Sequence, residues 1–156
     1  MNRKTDQKLL HRAIALAKSA RENGNHPFGA LLADAEGNIL LEAENTVLTE
    51  KDCTAHAETN LMRMASKKYS PEELANHTLY TSTEPCPMCA GAIFAGNVGR
   101  VVYGLSEEDL YKETGDTPYK LLLPCREVFE RGSHPVEVVG PLLEEEALEV
   151  HLSFWS

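Results

Sequence analysis

A histidine, a glutamate and a pair of cysteines form two short segments whose residue types suit metal chemistry. His56, Ala57 and Glu58 lie in TAHAETN, and Cys86 and Cys89 stand three residues apart after a proline in TEPCPMCAGAI. Imidazole nitrogen and thiolate sulfur are donors that zinc prefers, and a catalytic zinc takes three such donors and leaves one position for water. A carboxylate beside that centre can carry protons. If the two segments meet in space, the residues predict a hydrolytic zinc site with Glu58 as its proton carrier.

Each half of this pattern also has a simpler interpretation. A Cys-x-x-Cys pair in a reducing compartment is often a redox pair or part of a structural zinc site. A redox pair is typical of a thioredoxin-like setting, and a structural site needs a fourth protein ligand. A lone His-x-Glu carries little information. The two segments in this order, each at the start of an expected helix, favour the catalytic interpretation.

The helix starts matter because they set the direction and charge of the ligands. Thr54 is the expected N-cap of a helix over residues 55–68, and a second helix is expected after residue 85, with Pro87 in its first turn. Cys86 and Cys89 are then i and i+3 and share one helical face. The partial positive charge of a helix N-terminus favours their thiolate forms.

The elements that must position these residues alternate between strands and helices. Apolar periodicity predicts a first helix over 6–22 and a last helix over 142–155. Residues 106–131 are expected to be mainly helical, with interruptions at Gly115 and Pro118. The expected strands cover 30–34, 38–44, 78–82, 100–105 and 136–140. This order predicts an α/β fold, a three-layer α/β/α sandwich with a five-stranded mixed sheet. The long connection between the last two strands suits parallel pairing.

Composition narrows the class of protein. The 156 residues are expected to form one domain, 1–156. The net charge of −9 disfavours a nucleic-acid partner. No apolar run reaches the roughly 20 residues that a membrane helix needs, so no membrane partner is expected. The polar N-terminal segment lacks a signal-peptide pattern, which favours a cytoplasmic location.

Three segments together resemble a known family. HPFGA at 26–30, TAHAE at 54–58 and EPCPMCAGAI at 84–93 are similar to motifs of the cytidine deaminase-like zinc deaminases, and the resemblance covers nearly the whole chain. H-x-E followed by P-C-x-x-C is the signature of these enzymes. The bacterial guanine deaminase branch, which acts on free nucleobases, is the most similar. The resemblance implies the cytidine deaminase-like fold, one Zn²⁺ per subunit and a homodimer.

The resemblance also assigns roles at the metal site. It implies that His56, Cys86 and Cys89 are the zinc ligands and that Glu58 is the catalytic proton shuttle. These are the same residues that the two segments single out by their chemistry.

Substrate-binding roles follow from the same resemblance. Asn45 corresponds to the family asparagine that hydrogen-bonds the base, and Ala57 would offer its backbone N–H to a base oxygen. Phe28 would lie at the pocket wall, although a core aromatic is an equal alternative.

Residue spacing does not decide which residues match two further parts of the family pattern. An acidic residue is expected to contact substrate after the fourth strand, and Asp109 and Asp116 are both candidates, although most acids in such a run face solvent. In the C-terminal tail, Phe154 and Trp155 could stack over the base as a lid. They could equally pack on the core or on a dimer interface.

The function implied is zinc-dependent hydrolytic deamination of a free nucleobase or related amino-heterocycle, with guanine or isocytosine favoured and ammonia released. The alternatives within deaminases are a cytosine deaminase and a tRNA adenosine deaminase. The latter needs a basic C-terminal region, whereas this one is acidic. A non-catalytic zinc or redox protein is the alternative from another class.

Overall fold

A five-stranded mixed sheet forms the centre of the fold. The structure is a computed structural model that describes residues 2–115 and 117–155. The strands are β1 (Gly29–Ala33), β2 (Ile39–Glu44), β3 (Thr78–Thr83), β4 (Arg100–Leu105) and β5 (Glu137–Val139), in the spatial order β2-β1-β3-β4-β5. β1 pairs antiparallel with β2 and β3, whereas β3 with β4 and β4 with β5 are parallel. The mixed sheet and the parallel pairing of the last two strands are confirmed.

Helices cover both faces of this sheet. They are α1 (Arg3–Glu22), α2 (Val47–Glu50), α3 (Ala57–Lys68), α4 (Pro71–Leu74), α5 (Pro87–Gly96), α6 (Glu107–Thr114), α7 (Cys125–Glu130) and α8 (Glu144–Glu149). One buried cluster joins the sheet to α1 and α8, and a second joins it to α3, α5 and α7. The three-layer α/β/α arrangement is therefore confirmed. No helix among the described residues has the length and apolarity needed to cross a bilayer.

β1 shows why the sheet needs cover on both sides. All five of its residues are buried, with Ala30 and Leu32 in the cluster of α3 and Leu31 and Ala33 in the cluster of α1. Side chains alternate between the faces of a strand, so an uninterrupted apolar strand is stable only between two layers. Gly29 allows α1 to lie directly on β1, because an added Cβ would stand 2.6 Å from the carbonyl oxygen of Ala13.

A buried ion pair ties α1 to the far end of the sheet. Arg100 donates to both carboxylate oxygens of Asp6, at 2.8 and 2.6 Å, and Tyr80 donates its hydroxyl to Asp6 at 2.7 Å. Burial alone would raise the pKa of Asp6, but these hydrogen bonds and the charge of Arg100 lower it. Asp6 is therefore ionised and fully paired in the fold.

The expected start of the helix after β2 was wrong. The Thr54 hydroxyl donates to Asp52 at 2.6 Å instead of capping a helix, and α3 begins at Ala57 with His56 as its N-cap. The stretch 106–131 was expected to be helical with interruptions at Gly115 and Pro118; α6 ends at Thr114 with Gly115 as its C-cap, and α7 begins at Cys125.

The expected last helix over 142–155 was wrong in extent, because α8 ends at Glu149. Arg21 donates to the carbonyl oxygens of Val150 and Leu152, at 2.9 and 2.8 Å. A continued helix would use those carbonyls for its own hydrogen bonds. Arg21 thus holds the tail in a turned conformation that leads back toward the start of β1.

Candidate active site

Two helix starts bring the metal-binding side chains together. His56 is the N-cap of α3 and Cys86 the N-cap of α5, both have extended backbone, and neither uses its side chain to cap the helix. Their side chains are therefore free to face each other. Cys89 lies one turn into α5 and is fully buried.

The distances between these three side chains fit a zinc ion. Nδ1 of His56 lies 3.6 Å from Sγ of Cys86 and 3.5 Å from Sγ of Cys89. Bonds of about 2.0–2.1 Å to nitrogen and about 2.3 Å to sulfur in a tetrahedron place such donors about 3.6 Å apart. The donor set is one nitrogen and two sulfurs, all within 4.8 Å of one another. The three side chains can hold zinc with little rearrangement and leave a fourth position open.

The electrostatics of Cys86 favour metal binding. A hydrogen bond from Cys89 lowers the pKa of Cys86 to about 4. Burial opposes this shift, and a hydrogen bond from His56 adds to it. Thiolate is the form that binds metal. Cys86 is therefore ready as a ligand at neutral pH.

Glu58 lies beside this donor set without belonging to it. It is the second residue of α3 and only 5% exposed, and it shares a hydrogen bond with Thr81 of β3. Burial and the negative charge of Cys86 raise the pKa of Glu58 to about 7. A carboxyl group with a pKa near neutrality can both accept and release a proton.

Asn45 and Ala57 line the same region of the fold. Asn45 follows β2 and is 1% exposed, and its backbone N–H donates to the carbonyl of Phe28 at 3.1 Å. Its side-chain oxygen accepts from the N–H of Val47 at 3.0 Å. Ala57 is the first residue of α3, where backbone N–H groups have no partner within the helix. Both residues can present N–H donors to a ligand.

The C-terminal tail packs its aromatic side chains against the start of β1. We call these five rings the tail cluster: His26, Phe28, His151, Phe154 and Trp155. Ring centroids lie 5.2 Å apart for His26 and Trp155, 5.9 Å for His26 and Phe154, and 5.2 Å for Phe28 and His151. His151 lies 3.4 Å from the hydroxyl of Thr83, three residues before Cys86, so the tail cluster lies near the metal-donor side chains. The structure thus brings Phe28, Phe154 and Trp155 together.

His151 fixes this cluster through both ring nitrogens. The indole N–H of Trp155 donates to Nδ1 at 3.1 Å. Because an indole can only donate, Nδ1 carries no proton, so Nε2 carries it and faces the hydroxyl of Thr83 at 3.4 Å. Burial and the charge of Arg21 lower the pKa of His151 to about 4.

The structure does not bring Asp109 to the site. Its carboxylate lies at the surface and accepts from Lys112 at 3.2 Å, while its backbone N–H donates to Ser106. Asp116 lies outside the described residues.

Three site residues were missed in the sequence. Glu84 accepts the backbone N–H groups of Glu107 and Cys125, at 3.0 and 2.9 Å, and so anchors the starts of α6 and α7 beside the metal-binding segment. Its position immediately before Pro85 and Cys86 could have indicated a role at the site. Glu107 is 2% exposed. Nothing in the sequence distinguishes Glu107 from the neighbouring acidic residues. His26 was noticed only as part of the HPFGA motif and not as a site residue.

Comparison with known proteins places this site in a family. The profile of the cytidine and deoxycytidylate deaminase zinc-binding region matches residues 3–105. A probable cytosine deaminase of Schizosaccharomyces pombe is 42% identical over 153 residues, with 96% of this chain and 92% of the relative covered. The guanine deaminase of Bacillus subtilis is 36% identical over 139 residues, covering 82% and 86%.

A solved structure from a study of tRNA:A34 deaminases shares the fold. Its TM-score is 0.69 at 29% identity, with 88% of this chain and 94% of that chain covered. The matched profile spans α1 to β4 and contains His56, Glu58, Cys86 and Cys89. With these ligands at zinc-binding distances and the buried carboxyl beside them, the chain belongs to the cytidine and deoxycytidylate deaminase family of zinc-binding proteins.

Proposed function

We propose that this protein hydrolytically deaminates a free nucleobase or a closely related amino-heterocycle and releases ammonia. The observation that carries the proposal is Glu58, a buried carboxyl with a pKa near 7 next to three metal donors. Neither a redox pair nor a structural metal site needs such a group. Hydrolysis of a C–N bond needs one, because protons must move from water to the leaving nitrogen.

We assign zinc to His56, Cys86 and Cys89, one ion per chain. When bound, zinc acts as a Lewis acid that makes water a stronger nucleophile near neutral pH. Glu58 accepts a proton from the attacking water and passes it to the ring nitrogen beside the reacting carbon. It then takes the remaining proton of the added hydroxyl group and delivers it to the amino nitrogen, which leaves as ammonia while the hydroxyl oxygen becomes the carbonyl.

Substrate binding falls to groups around Glu58. We propose that Asn45 and the backbone N–H of Ala57 hydrogen-bond the base, and that Phe28 forms a wall of the pocket. Phe154 and Trp155 would cover the base as part of the tail cluster, since they lie within ring-contact distance of His26. Asp109 is not retained in this role because Lys112 already pairs with it, and Asp116 stays a prediction.

A free base fits this arrangement better than a nucleic acid. The tail cluster packs on Thr83, three residues before Cys86, and the net charge of −9 repels phosphate. The relatives described above include a probable cytosine deaminase matched over nearly the whole chain and a guanine deaminase matched over somewhat less. We therefore rank cytosine, guanine and isocytosine as the first substrates to test, ahead of tRNA.

We propose a homodimer and a cytoplasmic location as well. α3 and α5 border an open groove of about 390 Å³ that Met62, Ala92 and Ala95 help to line, and such a face suits a second copy. All four cysteines are free, which fits a reducing compartment.

An ammonia-release screen tests the function. Zinc-loaded protein is assayed with cytosine, isocytosine, guanine, adenine, ammeline, their nucleosides where these exist, and a tRNA anticodon arm. We expect turnover of a free base, and a loss of about a hundredfold to ten-thousandfold in Glu58→Gln with zinc content and substrate binding retained. Asn45→Ala should weaken substrate binding with zinc unchanged.

The matched control is Glu36→Gln, which removes an exposed carboxylate in the β1–β2 turn and should leave turnover unchanged. Near-normal turnover in Glu58→Gln would refute the assigned mechanism. Deamination confined to tRNA would replace the free base with the nucleic-acid alternative, and no ammonia from any substrate would leave a non-catalytic zinc protein.

A further inference from the structure

Asn25 is a buried asparagine whose side chain holds the segment that follows β2. It lies in the connection between α1 and β1 and is 2% exposed. Its side-chain oxygen accepts the backbone N–H groups of Leu48 and Thr49, at 3.1 and 3.0 Å. Its amide nitrogen donates to the hydroxyl of Thr49 at 3.1 Å. Asn25 therefore fixes the start of α2 from more than twenty residues away in the sequence.

Asn45 completes the same set of hydrogen bonds. The first N–H groups of a helix have no partner within the helix, so other groups must accept them. In α2 the oxygen of Asn45 accepts the N–H of Val47 at 3.0 Å, and the oxygen of Asn25 accepts the next two. Two asparagines from different parts of the chain thus share one turn of backbone.

α2 depends on these two residues because it has no cap of its own. Thr46 stands at the N-cap position, but its side chain makes no capping hydrogen bond and donates to Glu50 instead. α4 is also four residues long, and there Ser70 and Glu73 form a complete local capping box. A short helix in this fold can therefore be capped locally, and α2 uses the distant Asn25 in place of such a cap.

The shared turn sets the direction of the Asn45 amide. An amide side chain points its acceptor oxygen and its donor N–H2 group in different directions. Because Val47 occupies the oxygen of Asn45, the N–H2 group points away from α2. If the start of α2 moved, the oxygen would lose this partner, and either end of the amide would face a ligand.

Both chain neighbours of Asn45 are tied to the start of α3. The N–H of Thr46 donates to the carbonyl of Ala55 at 2.9 Å, and Ala55 directly precedes the first metal donor. Asn60 of α3 donates to the carbonyl of Glu44 and to the hydroxyl of Thr46, both at 2.9 Å. Direct hydrogen bonds therefore place Asn45 beside the segment that carries the metal donor and the proton carrier.

We propose that Asn25 is a positioning residue, which holds the start of α2 so that Asn45 presents its N–H2 group, and not its oxygen, to the substrate. The inference rests on the proposed function, in which Asn45 binds the base. It commits Asn45 to an acceptor on the substrate, either an oxygen or an unprotonated ring nitrogen. Asn25 acts through the turn that it shares with Asn45 and not by contact with the substrate.

A double-mutant cycle separates this role from a general structural one. Asn25→Leu removes the acceptor oxygen with a side chain of similar size, and it is made alone and together with Asn45→Ala. The readouts are kcat and KM for the base that the wild type deaminates, with zinc content and Tm for every variant. Effects of residues that share a hydrogen-bond network are not additive, whereas effects of independent residues are.

Asn25→Leu should lower kcat/KM at least about tenfold, because a polar partner in the site loses its orientation. In the Asn45→Ala background the same change should lower kcat/KM by about twofold or less, since the group that it positions is already absent. Asn25→Asp keeps an oxygen for both N–H groups and should stay within about threefold of the wild type. Zinc content should not change in any of these variants.

Ser70→Ala is the matched control, because it removes the N-cap side chain of the other four-residue helix, α4. It should lower Tm and leave kcat/KM unchanged. If Asn25→Leu does not fold, Asn25→Ala takes its place in the cycle. Binding of the base to these variants in the Glu58→Gln background, measured by calorimetry, should follow the same pattern.

Four results would overturn the inference while deamination stands. They are equal losses with and without the Asn45 side chain, a loss in Asn25→Asp as large as in Asn25→Leu, no loss in Asn25→Leu, and an Asn45→Ala enzyme with unchanged kcat/KM. The wild type still releases ammonia in all four cases. A wild type that releases ammonia from no base overturns the proposed function and this inference together.

Discussion

His151 should make the stability of this protein depend on pH in the mildly acidic range. The ring is fully buried in the tail cluster, and its pKa is lowered from 6.5 to about 4 by burial and the charge of Arg21. In the unfolded chain the ring takes up a proton below about 6.5, whereas in the folded chain it stays neutral down to about pH 4. The unfolded state binds more protons between these values, so stability is full above 6.5 and falls as the pH falls.

The size of this effect follows from the difference between the two pKa values. At about 1.4 kcal/mol per pKa unit, the complete loss is about 3 kcal/mol and is reached near pH 4. At about pH 5 most of it, about 2 kcal/mol, is already lost. That is a large share of the 5–15 kcal/mol by which domains are typically stable.

His151→Asn isolates this contribution. The side-chain oxygen of asparagine can still accept from the indole N–H of Trp155, but the residue no longer titrates. Urea unfolding is followed by circular dichroism and by the fluorescence of Trp155, the one tryptophan of the chain, at about pH 7.5, 6 and 5 with excess zinc. Proton effects on the metal ligands occur in both proteins and cancel in the comparison.

The variant should be less stable than the wild type at pH 7.5, because the contact with Thr83 is lost. The difference between their free energies of unfolding should become about 2 kcal/mol smaller at pH 5. Leu152→Ala is the control, since this exposed residue of the same tail carries no titratable group and its loss should leave the pH dependence unchanged. Parallel pH profiles for the wild type and His151→Asn would refute the assignment of a neutral, buried His151.

Three further measurements test other parts of the structure. Arg100→Leu leaves Asp6 buried without its cationic partner, although Tyr80 still donates to it, and should cost about 3–5 kcal/mol in urea unfolding; a change below about 1 kcal/mol would contradict the pairing. Cys89→Ser should lose the one bound zinc per chain in metal analysis and lower Tm, and retained stoichiometric zinc would exclude Cys89 as a ligand. Ala95→Arg, in the groove between α3 and α5, should convert a dimer to a monomer by light scattering, and an unchanged mass would exclude that face as the interface.

The strands were predictable because their signal is local. β1, β3 and β4 are apolar runs buried between two helical layers, and their limits lie within about a residue or two of those expected. The start of α5 was predictable for a similar reason, because proline is favoured in the first turn of a helix.

The errors occurred where a distant residue decides a local conformation. Thr54 is a good N-cap by composition, but Asp52 takes its hydroxyl and the helix starts later. The tail has helical periodicity beyond Glu149, but Arg21 binds its carbonyls from more than a hundred residues away in sequence. Propensity alone carries no information about such long-range competition.

The cluster of metal donors was predictable from residue types, and the aromatic tail only in outline. His56, Cys86 and Cys89 stood out because few other roles need that combination. For Phe154 and Trp155 the alternatives were a lid or packing on the core or a dimer interface, and the tail cluster places them against His26. Contact with a base stays a prediction that the substrate screen can test.

The acids at the start of α6 show most clearly where sequence reasoning reaches its limit. Glu107 and Asp109 are two residues apart, carry the same functional group, and follow the same strand, yet the first is buried beside Glu58 and Cys86 while the second pairs with Lys112 at the surface. Successive helical residues point about 100° apart, so two positions rotate a side chain to nearly the opposite face. A helix of eight residues is too short for its apolar pattern to reveal which face is inside. The side that faces the interior is set by Glu84, whose hydrogen bond fixes the first turn of α6, and that contact exists only once β3 and β4 have paired.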